Sequence, residues 1–172
     1  TSKKIKNYLL IGNKFHINFK SKNENQIGYF KLEIDEITTP LYLDNQKKLS
    51  CIVTTMNLVK ILTGENQSNQ EIFKHIKIFF TNLKNENWIN ELIFWELNFF
   101  KLIGYDLEIN NLVNKEIKDG INQYYVSSSN QKKYIPAFIV ENNKHEKNLS
   151  QIFYGLKLVT DFLDKSILKL NN

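Results

Sequence analysis

One change of hydrophobic period, near Pro40, limits what this chain can fold into. Before it, apolar residues alternate. Phe15, Ile17 and Phe19 fall on one face of a strand, with Lys14, His16, Asn18 and Lys20 on the other. After a polar turn over residues 21–26, Phe30, Leu32 and Ile34 alternate against Tyr29, Lys31 and Glu33. Period two over two such runs predicts an antiparallel pair with one buried face. A lone pair of strands is only marginally stable. A third strand over Tyr8 to Ile11 is therefore expected, and the sheet reads as part of a β-barrel.

From about Leu43 the period becomes helical. Leu49, Ile52, Val53, Met56, Val59 and Leu62 make one stripe, closed by Gly64. Ser68 followed by Glu71 has capping-box spacing and opens a second helix, with the stripe Ile72, Phe73, Ile76, Phe79, Phe80 and Leu83. A third helix runs from about Asn87 to Ile103 and stops at Gly104. Tyr125 and its neighbours then form a strand, "SSSNQ" turns, and "KKYI" returns before Pro136. A last helix starts near Asn148 or Ser150 and continues to about Leu168. The expected fold class is α+β: a β-rich piece to about residue 38, then a helical domain over 41–172 with an inserted hairpin over about 121–136.

Composition narrows the function. The 172 residues are 42% hydrophobic and 24% charged, which suits a folded chain. The net charge is +5, and all 23 basic residues are lysine. A basic balance points to an anionic partner. Without arginine there is no bidentate reading of guanine and no arginine finger, so lysine attraction to phosphate carries little sequence choice. The single cysteine, Cys51, permits no intrachain disulfide and fits a reducing cytoplasm. It lies beside a helical apolar stripe and reads as a structural thiol. No apolar run reaches the roughly 18 residues of a membrane span.

Catalytic signatures are missing. The sequence has no P-loop, GxGxxG, GxSxG or HExxH. His16, His75 and His145 fall in three separate elements, and Asp35 with Glu36 reads as a solvated strand end. No enzyme, metal or cofactor is expected. The densest one-sign region is the N-terminal one: Lys3, Lys4, Lys6, Lys14, Lys20, Lys22 and Lys31 lie within 31 residues. With Tyr8, His16 and Tyr29 these make the candidate DNA-binding set, the lysines for the backbone and the tyrosines for base faces. The same lysines also fit a solvated outer sheet face.

Three stretches resemble the RecO family of recombination mediators, in the form seen in alphaproteobacteria. "WELNFFKLIGYDLEIN" (Trp95–Asn110) is similar to the family's acidic-aromatic helix and the turn after it. "YYVSSSNQKKY" (Tyr124–Tyr134) is similar to its hairpin. "IPAFI" (Ile135–Ile139) with "GLKLVTDFLDKSIL" (Gly155–Leu168) is similar to its closing segment. "IGNKFHINF" fits the latter half of the family's N-terminal OB barrel. The resemblance implies a partial OB-fold over 1–38, then a RecO-like helical domain. It also implies a non-enzymatic protein that binds single- and double-stranded DNA and anneals strands. Its partners would be RecR and single-stranded DNA-binding protein, and through them RecA. Its place would be the bacterial cytoplasm, at the nucleoid. Two departures stand out. The family has further residues, including the first barrel strands, before the position of Thr1, so an N-terminally truncated form is expected. The places where many members hold zinc with cysteines read "NLVNK" and "SSSNQKK" here, so thiolates cannot hold zinc there. The alternative function is a scaffold that binds a partner peptide in a helical groove without touching DNA.

Overall fold

A computed structural model describes residues 7–23, 27–64, 68–128 and 131–168. The chain divides into two compact units, residues 1–67 and 68–172.

In the first unit, β1 (Lys14–Lys20) pairs antiparallel with β2 (Tyr29–Glu36). Phe15 lies opposite Ile34, Ile17 opposite Leu32 and Phe19 opposite Phe30, so the period-two reading gives the register. The apolar face, however, is not buried. Ile17, Phe19 and Phe30 are 58%, 57% and 67% exposed. The two strands form a two-stranded sheet, and no closed barrel is present among the described residues.

The expected third strand, Tyr8 to Ile11, is a pair of turns instead. Asn13 is the reason. Its side-chain amide donates to the Tyr8 carbonyl (2.9 Å), and its Oδ1 accepts from Thr38 N (2.9 Å) and Thr39 N (3.0 Å). Gly12 beside it has φ +90°, a left-handed conformation that a regular strand does not use. Asn13 thus ties the chain entering β1 to the chain leaving β2, and Thr38 and Thr39 are buried there. A 3-10 turn, Thr39–Tyr42, carries Pro40 at its start. Helix α1 (Gln46–Leu62) follows, capped by the Asn45 side chain on Lys48 N. Its buried positions are Ile52, Thr55 and Leu58, a seam of spacing three. Val53, expected in the core, is exposed. Cys51 is half-buried, its Sγ 3.9 Å from Thr55 Oγ1.

The second unit is built on α2 (Gln70–Asn82) and α3 (Trp88–Leu102). Helix α2 opens one residue later than the capping-box reading: Asn69, not Ser68, accepts from Ile72 N. Its buried face is Ile72, His75 and Phe79, so Phe73 is outside the core, with Lys77 Nζ 4.9 Å from its ring centre. His75 takes the core place. Its Nε2–H donates to the Trp95 carbonyl (2.9 Å), and Trp95 Nε1–H donates to the His75 carbonyl (2.7 Å). The rings of His75, Trp95 and Phe99 stack in a column, with centroids 4.6 Å and 5.3 Å apart and nearly parallel planes. Burial holds the imidazole below its ordinary pKa, which suits the neutral donor that the carbonyl requires.

Helix α3 ends as the sequence predicts. Gly104 has φ +92°. Its N–H donates to Lys101 O, and Tyr105 N–H donates to Phe100 O. This is a Schellman closure, which needs a left-handed residue at that position. A short helix α4 (Ile109–Leu112) leads into a meander of β3 (Asn114–Lys118), β4 (Ile121–Ser128) and β5 (Gln131–Ile135). The hairpin of β4 and β5 is where it was expected. Strand β3 was not expected, although Asp119-Gly120 announces it: both have positive φ (51° and 76°), as a two-residue hairpin turn demands. Helix α5 (Ala137–Val140) buries Phe138 and Ile139. Helix α6 (Leu149–Phe162), capped by Asn148, packs on α3 and continues as a π-type turn, Leu163–Leu168. Gly155 of α6 lies against Phe138 and Ile93 with no room for a methyl group.

Candidate nucleic-acid interface

The polar face of the β1–β2 sheet gathers His16, Lys20, Tyr29 and Lys31, as the alternation predicts. His16 lies opposite Glu33, Asn18 opposite Lys31, and Lys20 opposite Tyr29. The antiparallel register changes the charge balance, however. It folds the acidic end of β2 back onto the start of β1. Lys14 pairs with Asp35 at 2.5 Å, and Lys31 pairs with Glu33 at 2.7 Å. Hydrogen bonding to Glu33, then its charge, holds the Lys31 ammonium above its ordinary pKa, and the same bond holds the Glu33 carboxyl below its own. Among the described residues, the basic charge left over therefore lies toward the turn end of the sheet. There Lys20 and Lys22 are exposed and make no ion pair among the described residues, and Tyr29 stands exposed beside Lys20. Tyr8 is exposed in the turn before β1, its carbonyl held by Asn13. Lys3, Lys4 and Lys6 lie outside the described residues.

A linear count of lysines misses this cancellation, because Asp35 and Glu36 follow the basic run in sequence and oppose its start in space. What remains is a lysine pair beside an exposed aromatic ring. Such a surface can attract phosphate with the ammonium groups and offer a π-face to a base.

A second concave surface, which the sequence did not place, runs along α3 in the second unit. Two adjoining grooves of about 560 Å³ and 630 Å³ share Phe94, Asn98, Lys101 and Lys144. The first has a mixed lining, with Leu97, Ile139 and Val140 beside Asp106, Glu108 and Asn142, and the second is more apolar, with Ile78 and Leu102. Both lysines have acidic partners: Lys101 with Asp106 at 2.9 Å, Lys144 with Glu91 at 3.3 Å. Asn87 and Asn90 hold the Lys144 carbonyl, and Asn90 also holds that of Glu146, so the loop carrying Lys144 is pinned to the start of α3. Among the described residues no group of three or more His, Cys, Asp or Glu side chains is placed to hold a metal ion. No helix of the described residues is long and apolar enough to cross a membrane.

The family model for the C-terminal part of recombination protein O matches residues 44–165, more than half of the chain. The chain belongs to the RecO family. Three relatives named DNA repair protein RecO agree with this. The protein from Rickettsia canadensis is 25% identical over 127 residues, 74% of this chain and 52% of the relative. That from Ehrlichia chaffeensis is 26% identical over 110 residues, 63% of this chain and 45% of the relative. That from Rhodospirillum centenum is 21% identical over 175 residues, 94% of this chain and 69% of the relative. The chain thus spans about half the length of the first two relatives. No solved structure matches. The RecO match begins just before α1, in the first unit, and runs through α6 in the second. The aromatic column, the α3 grooves and the meander all lie inside it, while the β1–β2 sheet lies before it.

Proposed function

We propose that this RecO-family chain is a non-enzymatic DNA-binding mediator of recombinational repair. In this reading it holds single- and double-stranded DNA, anneals complementary strands, and works with RecR and single-stranded DNA-binding protein in loading RecA. Family membership supports the class of process. The observation that carries DNA binding is the exposed cluster of Lys20, Lys22 and Tyr29 at the turn end of the β1–β2 sheet. Residues 1–38 would be part of an OB-fold and residues 41–172 the RecO-like helical domain. The exposed apolar face of Ile17, Phe19 and Phe30 supports this, since the rest of a barrel would cover such a face.

The test is charge reversal. The double variant Lys20→Glu/Lys22→Glu should bind a fluorescent oligothymidine more weakly. Its slope of log affinity against log salt should fall by about 0.7 for each phosphate that the protein no longer neutralises. Unchanged affinity and slope would remove this surface from DNA binding. The second reading, a peptide-binding scaffold, draws on the α3 grooves, whose apolar side chains and ion-paired lysines offer a concave seat for a partner peptide. It would gain if DNA binding were absent while a partner peptide was displaced by the variant Lys101→Glu/Lys144→Glu.

A further inference from the structure

The meander of the second unit has one face packed and one open. The inner face carries Val126 and Ile135, which line a small cavity with Leu158 and Phe162, and Tyr124, whose hydroxyl donates to Glu141. The opposite face carries Tyr125 on β4 and Tyr134 on β5. The register sets them directly opposite each other, with ring centroids 6.2 Å apart at 61°. Tyr134 is 53% exposed. Lys132 Nζ lies 4.1 Å from the centre of the Tyr125 ring, and Lys118 ends β3 on the same face. Glu116 accepts from Lys132 Nζ and from the Tyr134 hydroxyl (3.2 Å).

Two adjacent tyrosines on an open sheet face do little for the core. Their rings are held in place, however, by the Glu116 bonds and by Lys132. Ordered aromatic rings with ammonium groups alongside are the elements of a base-stacking surface, with the lysines placed for the backbone. We propose that the open face of the β3–β4–β5 meander is a stacking platform for an unpaired nucleic-acid strand, with Tyr134 as the principal ring and Lys118 and Lys132 as phosphate-binding groups. Glu116 orients the platform and also competes with phosphate for Lys132. This inference rests on the DNA-binding reading above and adds a second binding surface to it, in the other unit.

Stacking needs a free base face, so an unpaired strand should feel the loss of a ring far more than a duplex does. Anisotropy of a labelled oligothymidine and of a labelled duplex of equal length separates the two. Tyr134→Ala should weaken oligothymidine binding by about five-fold to a hundred-fold, the range of one base–aromatic stack, and leave the duplex nearly unchanged. Tyr134→Phe keeps the ring and loses only the Glu116 bond, so its loss should be several-fold smaller than that of Tyr134→Ala. Equal losses for Ala and Phe would mean that Tyr134 only braces the sheet, and would overturn the platform. Wild-type affinity in Tyr134→Ala, with loss in Lys20→Glu/Lys22→Glu, would overturn it too and leave the first surface standing. Failure of the unaltered chain to bind oligothymidine would remove both. Photocrosslinking with iododeoxyuridine-substituted oligothymidine does not depend on any variant folding. Adducts on Tyr134 or Tyr125 would support the platform, and adducts confined to the β1–β2 sheet would refute it.

Discussion

Replacing Gly155 by alanine puts the packing of the second unit to a sharp test. Glycine in a helix interior is about 1 kcal/mol worse than alanine, so in open space the change would stabilise α6. At this position a Cβ would stand 2.7 Å from Phe138 Cζ and 3.0 Å from Ile93 Cδ1. Phe138 is 1% exposed, and its ring stands edge-on to Phe94 with centroids 6.0 Å apart. It has little room to swing aside. Overpacking of this kind costs about 1–3 kcal/mol, and a clamped ring places it in the upper part of that range, at about 2–3 kcal/mol. The two effects oppose each other, and the overpacking is set to win because the obstructing ring is itself clamped. The net expectation is a destabilisation of about 1–2 kcal/mol. Urea unfolding reads it directly: with a slope of about 2 kcal/mol per molar, the midpoint should drop by about 0.5–1 M. Shortening the obstructing side chain should relieve the clash. In the cycle of Gly155→Ala with Phe138→Leu, the double variant should be more stable than the sum of the single effects by about 1 kcal/mol. Stabilisation by Gly155→Ala alone, or strict additivity in the cycle, would refute the close approach of α6 to Phe138.

Two further outcomes follow from single polar groups. Glu96 on α3 is half-buried, and desolvation pushes its carboxyl up to about 7 from 4.5. The native state therefore binds more protons than the unfolded chain between those values. Stability is full below about pH 4.5 and declines as pH rises toward 7. Glu96→Gln should accordingly be neutral near pH 4.5 and stabilising by about 1–2 kcal/mol at pH 8, since solvent reaching a half-buried group tempers the full shift. Thermal melts across that range check the crossing, and a pH-independent effect would contradict it. His75 works in the opposite sense, because its lowered pKa withdraws stability as pH falls. In the first unit, Asn13→Ala strands the N–H groups of the buried Thr38 and Thr39. A loss of about 2–4 kcal/mol is expected, with faster amide exchange at both residues; unaltered exchange would mean that the clamp is not formed in solution.

The parts of this fold that were legible in the sequence are those set by local chemistry. The alternation of Phe15, Ile17 and Phe19 against Phe30, Leu32 and Ile34 gives the strand register, because side-chain parity alone decides it. Gly104 gives the end of α3, because only a residue tolerant of positive φ closes it that way. The missed features depend on partners distant in sequence. His75 looked like a stray histidine, and its role depends on Trp95 twenty positions later. Tyr8 to Ile11 looked like a strand until Asn13 found Thr38 and Thr39. The candidate DNA surface is legible as a lysine run, but Asp35, which pairs with Lys14, arrives from the far strand. In the sequence Tyr134 is only one residue of the returning strand "KKYI", since which hairpin face stays open depends on where α5 and α6 lie.

The paired bonds between His75 and Trp95 have a mechanical consequence. Each residue's ring donates to the other's backbone, so the two helices are pinned along their axes as well as pressed together. A slip of one helical turn, about 5.4 Å, would break both bonds and unstack the ring column at once. Helices α2 and α3 cannot ratchet past each other in the way that many switching proteins use. The α2–α3 pair is thereby built to move as one lever.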